Sequence, residues 1–232
     1  MAFFMRTAIF TGFAVAVMSF AAPAIAQLDQ ITSREAAAGL KAALEKGSQA
    51  AVAALGRVDG FFGNPQLKIP LPESLQRTER LMRRVGMGKY ADELILTLNR
   101  AAEAAVPEAR QLFLDAGKKM TVQDAKRILS GGDTAATEYF RRTTQDALRK
   151  RFLPVVRKAT SRVELAEKYN EYADTAVAFG LVKKEDANLD DYVTQKALDG
   201  LFLMVAEEEK KIRKDPLGAA SAIIRKVFGA IR

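Results

Sequence analysis

The 232-residue chain contains no histidine and no cysteine. Without histidine it has no imidazole base and lacks a common ligand of zinc, copper and non-haem iron. Without cysteine it has no thiolate nucleophile, no iron–sulfur ligand and no disulfide. We therefore expect a protein that is not an enzyme and has no cofactor. A hydrolase built on carboxylates leaves no short sequence signature, so it stays open as an alternative.

The sequence also lacks the alternating apolar and polar runs that indicate β-strands. Apolar residues recur instead at helical spacing, as in Leu40, Leu44, Ala51 and Leu55. The predicted fold class is all-α, a single compact domain of about eight helices with one extended proline-rich segment.

The N-terminus has the layout of a secretory signal peptide. Arg6 precedes an apolar run from Ala8 to Phe20, and the small-residue pattern 24–26 follows Pro23. The run is shorter than the roughly 20 apolar residues of a membrane-spanning helix. We expect cleavage after Ala26, which places the protein in the periplasm and leaves residues 27–232 as the helical domain.

Helix boundaries follow from glycine, proline and capping residues. Gly56 and Gly86 should end two helices, and Thr121 with Asp124 should begin a short one. Pro107 should kink or split a helix over about 89–118, and a second disruption is expected at Pro154. Further helices are predicted over about 163–179 and 189–213, and an amphipathic helix over about 216–232.

The segment Asp59–Pro72 differs in kind from its helical neighbours. It contains Phe61 and Phe62, and its prolines at 65, 70 and 72 impose an extended backbone. The two phenylalanines either seal the core or lie across a binding groove.

The charge balance is basic, at +8 for the chain and +7 once Arg6 is removed with the signal segment. Outside the cytoplasm this favours an anionic lipid surface or acidic polymer over nucleic acid as a partner. The basic residues are scattered, however, as on ordinary solvated helix faces.

Two loops resemble ligand sites, but the residues in each argue against ligand binding. The Gly131-Gly132 turn before a helix could hold a phosphate, but Asp133 is expected to cap that helix and repel anions. The loop that begins at Asp186 starts like a calcium loop, yet its sixth and twelfth positions are Asp191 and Ala197 instead of Gly and Glu. We expect Asp190 or Asp191 to be the helix cap there.

Polar residues border the apolar stripes of three predicted helices. Such residues need partners once desolvated, so they either fix helix packing or wall a ligand pocket. The candidate binding residues are Asn99, Arg100, Glu103, Tyr139, Arg142, Thr143, Tyr192, Gln195, Lys196 and Asp199.

Four ungapped segments together resemble one family: 68–75 (KIPLPESL), 99–103 (NRAAE), 131–144 (GGDTAATEYFRRTT) and 190–202 (DDYVTQKALDGLF). The sequence is similar to the bacterial domain of unknown function 4197 family over nearly all of the mature chain. The resemblance implies an exported helical domain and no assigned activity.

Two non-enzymatic functions remain. The first is a periplasmic module that binds an unknown small molecule or an envelope protein in a groove between the three polar helix faces. The second is a peripheral membrane or envelope scaffold protein that uses the basic amphipathic helix at about 216–232.

Overall fold

The computed structural model describes residues 33–171, apart from 165 and 168, and residues 188–215. The predicted signal segment, the start of the calcium-like loop and the predicted helix at 216–232 lie outside these ranges. Of the helix expected over 163–179, the structure describes residues only as far as 171. No helix within the described ranges is long and apolar enough to cross a membrane.

The described part of the chain contains seven α-helices with defined bounds, further helical residues at 164, 166–167 and 169–171, and no β-strand, which confirms the all-α prediction. The seven helices are α1 (Ser33–Leu55), α2 (Glu73–Arg84), α3 (Gly88–Ala105), α4 (Ala109–Lys119), α5 (Val122–Leu129), α6 (Ala135–Thr160) and α7 (Leu189–Lys214). The 17 residues between α1 and α2 form turns and irregular backbone; we call residues 56–72 the connecting segment.

Several predicted boundaries are confirmed. Pro107 separates α3 from α4 within a short 3-10 turn, because proline offers no N–H to continue the α-helical ladder. Gly86 follows α2 with a φ of 79°, a conformation that glycine adopts without strain. At the start of α5, Thr121 and Asp124 form a reciprocal capping box.

The disruption expected at Pro154 is wrong, since α6 runs without a break from Ala135 to Thr160. A proline inside a helix costs about 3 kcal/mol. Phe152 and Val156, on either side of it, are both completely buried, so continuing the helix places two large apolar side chains in the core.

The core lies where α1, α3, α6 and α7 meet, with α6 packed against both α3 and α7. Its aromatic centre is Phe113, whose ring lies 4.8 Å from that of Phe140 and 6.2 Å from that of Phe202. On α3 the buried side of the last two turns is largely alanine, which lets the neighbouring helices approach closely. In contrast, α2 contains no buried residue and packs mainly against α3.

Candidate functional site

The connecting segment is held against α3 by a buried carboxylate. Oε1 of Glu103 accepts hydrogen bonds from the backbone N–H groups of Phe61 at 3.0 Å and Phe62 at 3.1 Å. Its other oxygen accepts a hydrogen bond from Arg100 at 2.6 Å, and Arg100 also pairs with Asp59 at 2.7 Å. Because Glu103 is 4% exposed, its charge is satisfied almost wholly inside the protein.

One turn earlier on α3, Asn99 pairs with the backbone of Ile69 much as a neighbouring strand would. Its Oδ1 accepts from the Ile69 N–H at 2.8 Å, and its Nδ2 donates to the Ile69 carbonyl at 2.9 Å. The same amide donates to the carbonyl of Ile95 at 2.8 Å. The Asn99 side chain is fully buried, and water cannot reach the backbone groups of Ile69. Asn99 therefore supplies the hydrogen bonds that these groups need.

Helix α7 closes the other side of the connecting segment. The Tyr192 hydroxyl donates to the carbonyl of Pro70 at 3.1 Å. The ring of Phe61 is fully buried against Gly200, where an added Cβ would lie 2.7 Å from Cε1 of the ring. Gly200 is therefore the residue that admits Phe61 to the core.

A cleft of about 320 Å³ opens where the connecting segment passes α7. Residues 66–70 form one wall, and Lys196, Asp199, Gly200 and Leu203 form the other. The apolar part of this lining includes Leu203, which is 44% exposed. This volume is at the lower end of the range found for small-molecule sites.

The charges at this cleft are two ammonium groups and one carboxylate. Lys68 lies 4.3 Å from the centre of the Phe62 ring, and Lys196 lies 5.6 Å from that of Tyr192. Neither ammonium makes a salt bridge within the described part of the chain, so each is available to an anion. Asp199 is the one carboxylate among the described residues lining the cleft, so the paired carboxyls of a glycosidase-like site do not occur there.

The ten candidate residues do not converge on one cavity. Lys196 and Asp199 line the cleft, while Gln195 and Tyr192 flank it on α7. Gln195 donates to Asp199 at 3.0 Å. The three candidates on α3 use their hydrogen-bonding groups to hold the connecting segment, as described above.

The candidates on α6 lie away from the cleft. The Tyr139 hydroxyl donates to the Ala116 carbonyl at 3.0 Å, and Thr143 donates back to the Tyr139 carbonyl at 2.8 Å. Arg142 is exposed, with its guanidinium 5.8 Å from the Tyr139 ring centre. Burial raises the pKa of Tyr139 above its ordinary value, and the nearby charge of Asp124 adds to this.

Sequence reasoning missed a second buried carboxylate, Glu209 on α7. Its oxygens accept hydrogen bonds from the backbone N–H groups of Ala136 at 3.0 Å and Thr137 at 2.9 Å, in the first turn of α6. Arg213 completes the group, donating to Glu209 at 2.8 Å. The signal was present, because Glu209 lies four residues after Val205 on the stripe that α7 buries.

This arrangement corrects the expected cap at Asp133. The N-cap of α6 is Thr134, whose side chain makes no hydrogen bond to the backbone of the helix. Glu209 supplies the negative charge that favours a helix N-terminus, from 72 residues further along the chain. Two N–H groups of the first turn of α6, those of Ala136 and Thr137, are thus occupied from within the protein.

The cap of α7 also differs from expectation. Asn188 is the N-cap, and its side chain accepts from the N–H groups of Asp190 and Asp191. Asp190 instead turns inward, where Thr160 donates to it, and Asp191 pairs with Arg149 at 2.7 Å. Asparagine is among the preferred N-cap residues because its amide oxygen accepts from the N–H groups of the first turn, which have no partner within the helix.

The fold and these contacts define a class of helical domain in which an irregular segment is fastened across two helices by side-chain hydrogen bonds to its backbone. The contacts join three of the four motifs noted in the sequence, because Asn99 pairs with Ile69 and Tyr192 pairs with Pro70. Residues 30–229 match the family described as protein of unknown function (DUF4197). The chain belongs to this family, which confirms the resemblance. Searches of the curated proteins and of the solved structures find no match to it.

Proposed function

We propose that this protein is an exported ligand-binding domain of the cell envelope and that the cleft between residues 66–70 and α7 receives the ligand. The observation that carries the proposal is the placement of Lys68 and Lys196 on opposite walls of the cleft, with no salt bridge to described residues. An anionic group between them would lie near two positive charges, each of which can make a charge-assisted hydrogen bond.

The ligand should be small and combine an anionic head with a short apolar part. A carboxylate or phosphate suits the two ammonium groups, whereas the exposed side chain of Leu203 offers an apolar surface beside them. Asp199 adds a site for a hydroxyl or amine, although Gln195 and Arg141 already lie within 3.0 and 3.9 Å of it. No catalytic step enters the proposal, since the sequence supplies neither imidazole nor thiolate.

A rigid wall makes this cleft suitable for binding. Residues 66–70 would sample many conformations if they were free, and ordering them on binding would reduce affinity. The two hydrogen bonds between Asn99 and Ile69, and the bond from Tyr192 to Pro70, fix this wall in advance. The polar residues beneath the cleft therefore support the site without contacting the ligand.

The test is to purify the mature protein natively from the periplasm and identify the small molecules it retains by mass spectrometry. We expect a retained anionic compound that is lost from the Lys68→Ala/Lys196→Ala double variant. The matched control is Lys119→Ala/Lys150→Ala, which removes two exposed lysines elsewhere. Identical extracts from the three proteins would contradict the proposal.

Export is tested separately from binding. Fractionation of cells should recover the protein in the periplasm, and its N-terminal residue should be Gln27. Recovery of the intact chain from the cytoplasm would contradict this part alone.

A further inference from the structure

Helices α2 and α3 form a hairpin whose turn carries apolar side chains into solvent. We call residues 77–90 the hairpin tip. Leu81 and Val85 are 60% and 61% exposed, and Met87 and Tyr90 are 46% and 45% exposed. Single exposed apolar residues are normal, but four at one end of a helical hairpin are unusual and indicate a contact surface.

Arginines accompany these apolar residues on the same side of α2. Arg77, Arg80 and Arg84 are spaced by three and four residues, which places them on one helix face beside Leu81 and Val85. All three are exposed, and none makes a salt bridge to a described residue. The tip therefore presents unneutralised guanidinium groups next to exposed apolar side chains.

The hairpin itself is held in a fixed geometry. Arg83 on α2 pairs with Asp92 on α3 at 2.6 Å and with Glu79 at 3.0 Å. The hydrogen bond from Arg83 holds the pKa of Asp92 below its ordinary value. One arginine of α2 thus fixes the hairpin while the other three face outward.

We propose that the hairpin tip docks on an anionic phospholipid surface. Leu81, Val85 and Met87 enter the boundary between headgroups and acyl chains, and the arginines bind lipid phosphates, which guanidinium groups recognise through paired hydrogen bonds. A lipid surface fits better than an acidic protein. A stable protein partner would need about 800 Å² of matching surface on each side, and the four exposed apolar residues of this surface lie within positions 81–90 of one hairpin.

The absence of tryptophan from the chain allows a direct test with the full mature protein. In Val85→Trp the indole should shift its emission to the blue, and brominated lipids should quench it, when vesicles of phosphatidylglycerol and phosphatidylethanolamine are added. The control is Val58→Trp, at a site that is 72% exposed on the connecting segment, where no shift is expected. A shift at both positions, or at neither, would overturn the proposal.

Vesicle sedimentation measures the contribution of the arginines. The variant Arg77→Gln/Arg80→Gln/Arg84→Gln should bind these vesicles about 100-fold more weakly, since each basic residue near an anionic surface contributes about a factor of five. Its matched control replaces three exposed basic residues elsewhere with glutamine: Arg110, Lys119 and Lys150. Circular dichroism establishes that both variants are folded.

The sedimentation results can refute the proposal in three ways. Equal losses in the two triple variants would mean that net charge alone drives binding. Loss only after truncation at Pro216 would assign binding to the C-terminal segment. Absence of wild-type binding at low salt would leave an acidic protein as the partner of this surface and overturn the proposal.

Discussion

Replacing Asn99 with alanine should destabilise the protein strongly, although the residue lies next to the cleft rather than in it. The substitution removes the acceptor of the Ile69 N–H and the donor to the Ile69 carbonyl. Ile69 is 1% exposed, so water cannot replace the lost amide without opening the structure. Two buried backbone groups are left without partners.

The expected loss follows from the desolvation cost of these groups. Each buried polar group left unsatisfied costs about 1–3 kcal/mol, so the two groups of Ile69 together cost about 4 kcal/mol. That is a large share of the roughly 5–15 kcal/mol of a folded domain. In Asn99→Asp the loss should be similar or larger, because a buried carboxylate would face the carbonyl oxygens of Ile69 and Ile95.

Urea denaturation followed by far-ultraviolet circular dichroism measures this loss as a change in the free energy of unfolding. Hydrogen exchange adds a local measurement, since the Ile69 amide should lose protection before the amides of α3 do. Glu93→Ala is the control, at an exposed position on the same helix, and should change stability by less than about 0.5 kcal/mol. A loss below about 1 kcal/mol for Asn99→Ala would refute the view that this amide holds the connecting segment.

Three further predictions concern contacts elsewhere in the core. Gly200→Ala should lower stability by about 1–3 kcal/mol in thermal melts, because the added Cβ would lie 2.7 Å from the Phe61 ring. The control is Gly47→Ala, whose added Cβ has no neighbour nearer than 3.5 Å, and it should be neutral or stabilising. Glu209→Ala should cost about 3–5 kcal/mol in urea denaturation, since it leaves two N–H groups and a guanidinium without their carboxylate, and a cost under 1 kcal/mol would contradict that role. The raised pKa of Tyr139 means that its contribution is complete below the ordinary pKa of tyrosine and is lost as the pH rises through the higher folded value. Tyr139→Phe should therefore be less stable than wild type at pH 7 and lose less stability between pH 9 and 11; parallel stability profiles would contradict this.

Helix positions could be predicted from the sequence because their causes are local. The spacing of Leu40, Leu44 and Leu55 on α1 and the break at Pro107 depend on residues within a few positions of each other. Pro154 is the exception, since its helix continues because Phe152 and Val156 beside it are buried in the core. The local cost of proline was visible, whereas the burial of its neighbours was not.

The candidate site was only partly predictable, because the direction of a polar side chain depends on what packs beside it. The sequence showed that Asn99 and Glu103 border an apolar stripe and must find partners. It did not show that those partners are backbone groups 30 and 42 residues upstream. The same limit explains why the sequence led us to expect Asp133 as the cap of α6. The carboxylate that accepts from the N–H groups in the first turn of α6 belongs to Glu209 instead.

Composition, periodicity and helix-ending residues were enough to determine an all-α chain without imidazole or thiol chemistry, and four motifs resembled the DUF4197 family, which the match over residues 30–229 confirms. Only the tertiary structure decided which polar groups are paired inside the protein and which remain available to a ligand or a partner. Asn99 and Glu103 pair with buried backbone groups of the connecting segment, whereas Lys68, Lys196 and the hairpin-tip residues Arg77, Arg80 and Arg84 make no salt bridge to a described residue. The physical reason is desolvation: a buried polar group must be paired by whatever the fold places next to it, while an exposed one is paired by water until a ligand or a membrane replaces that water.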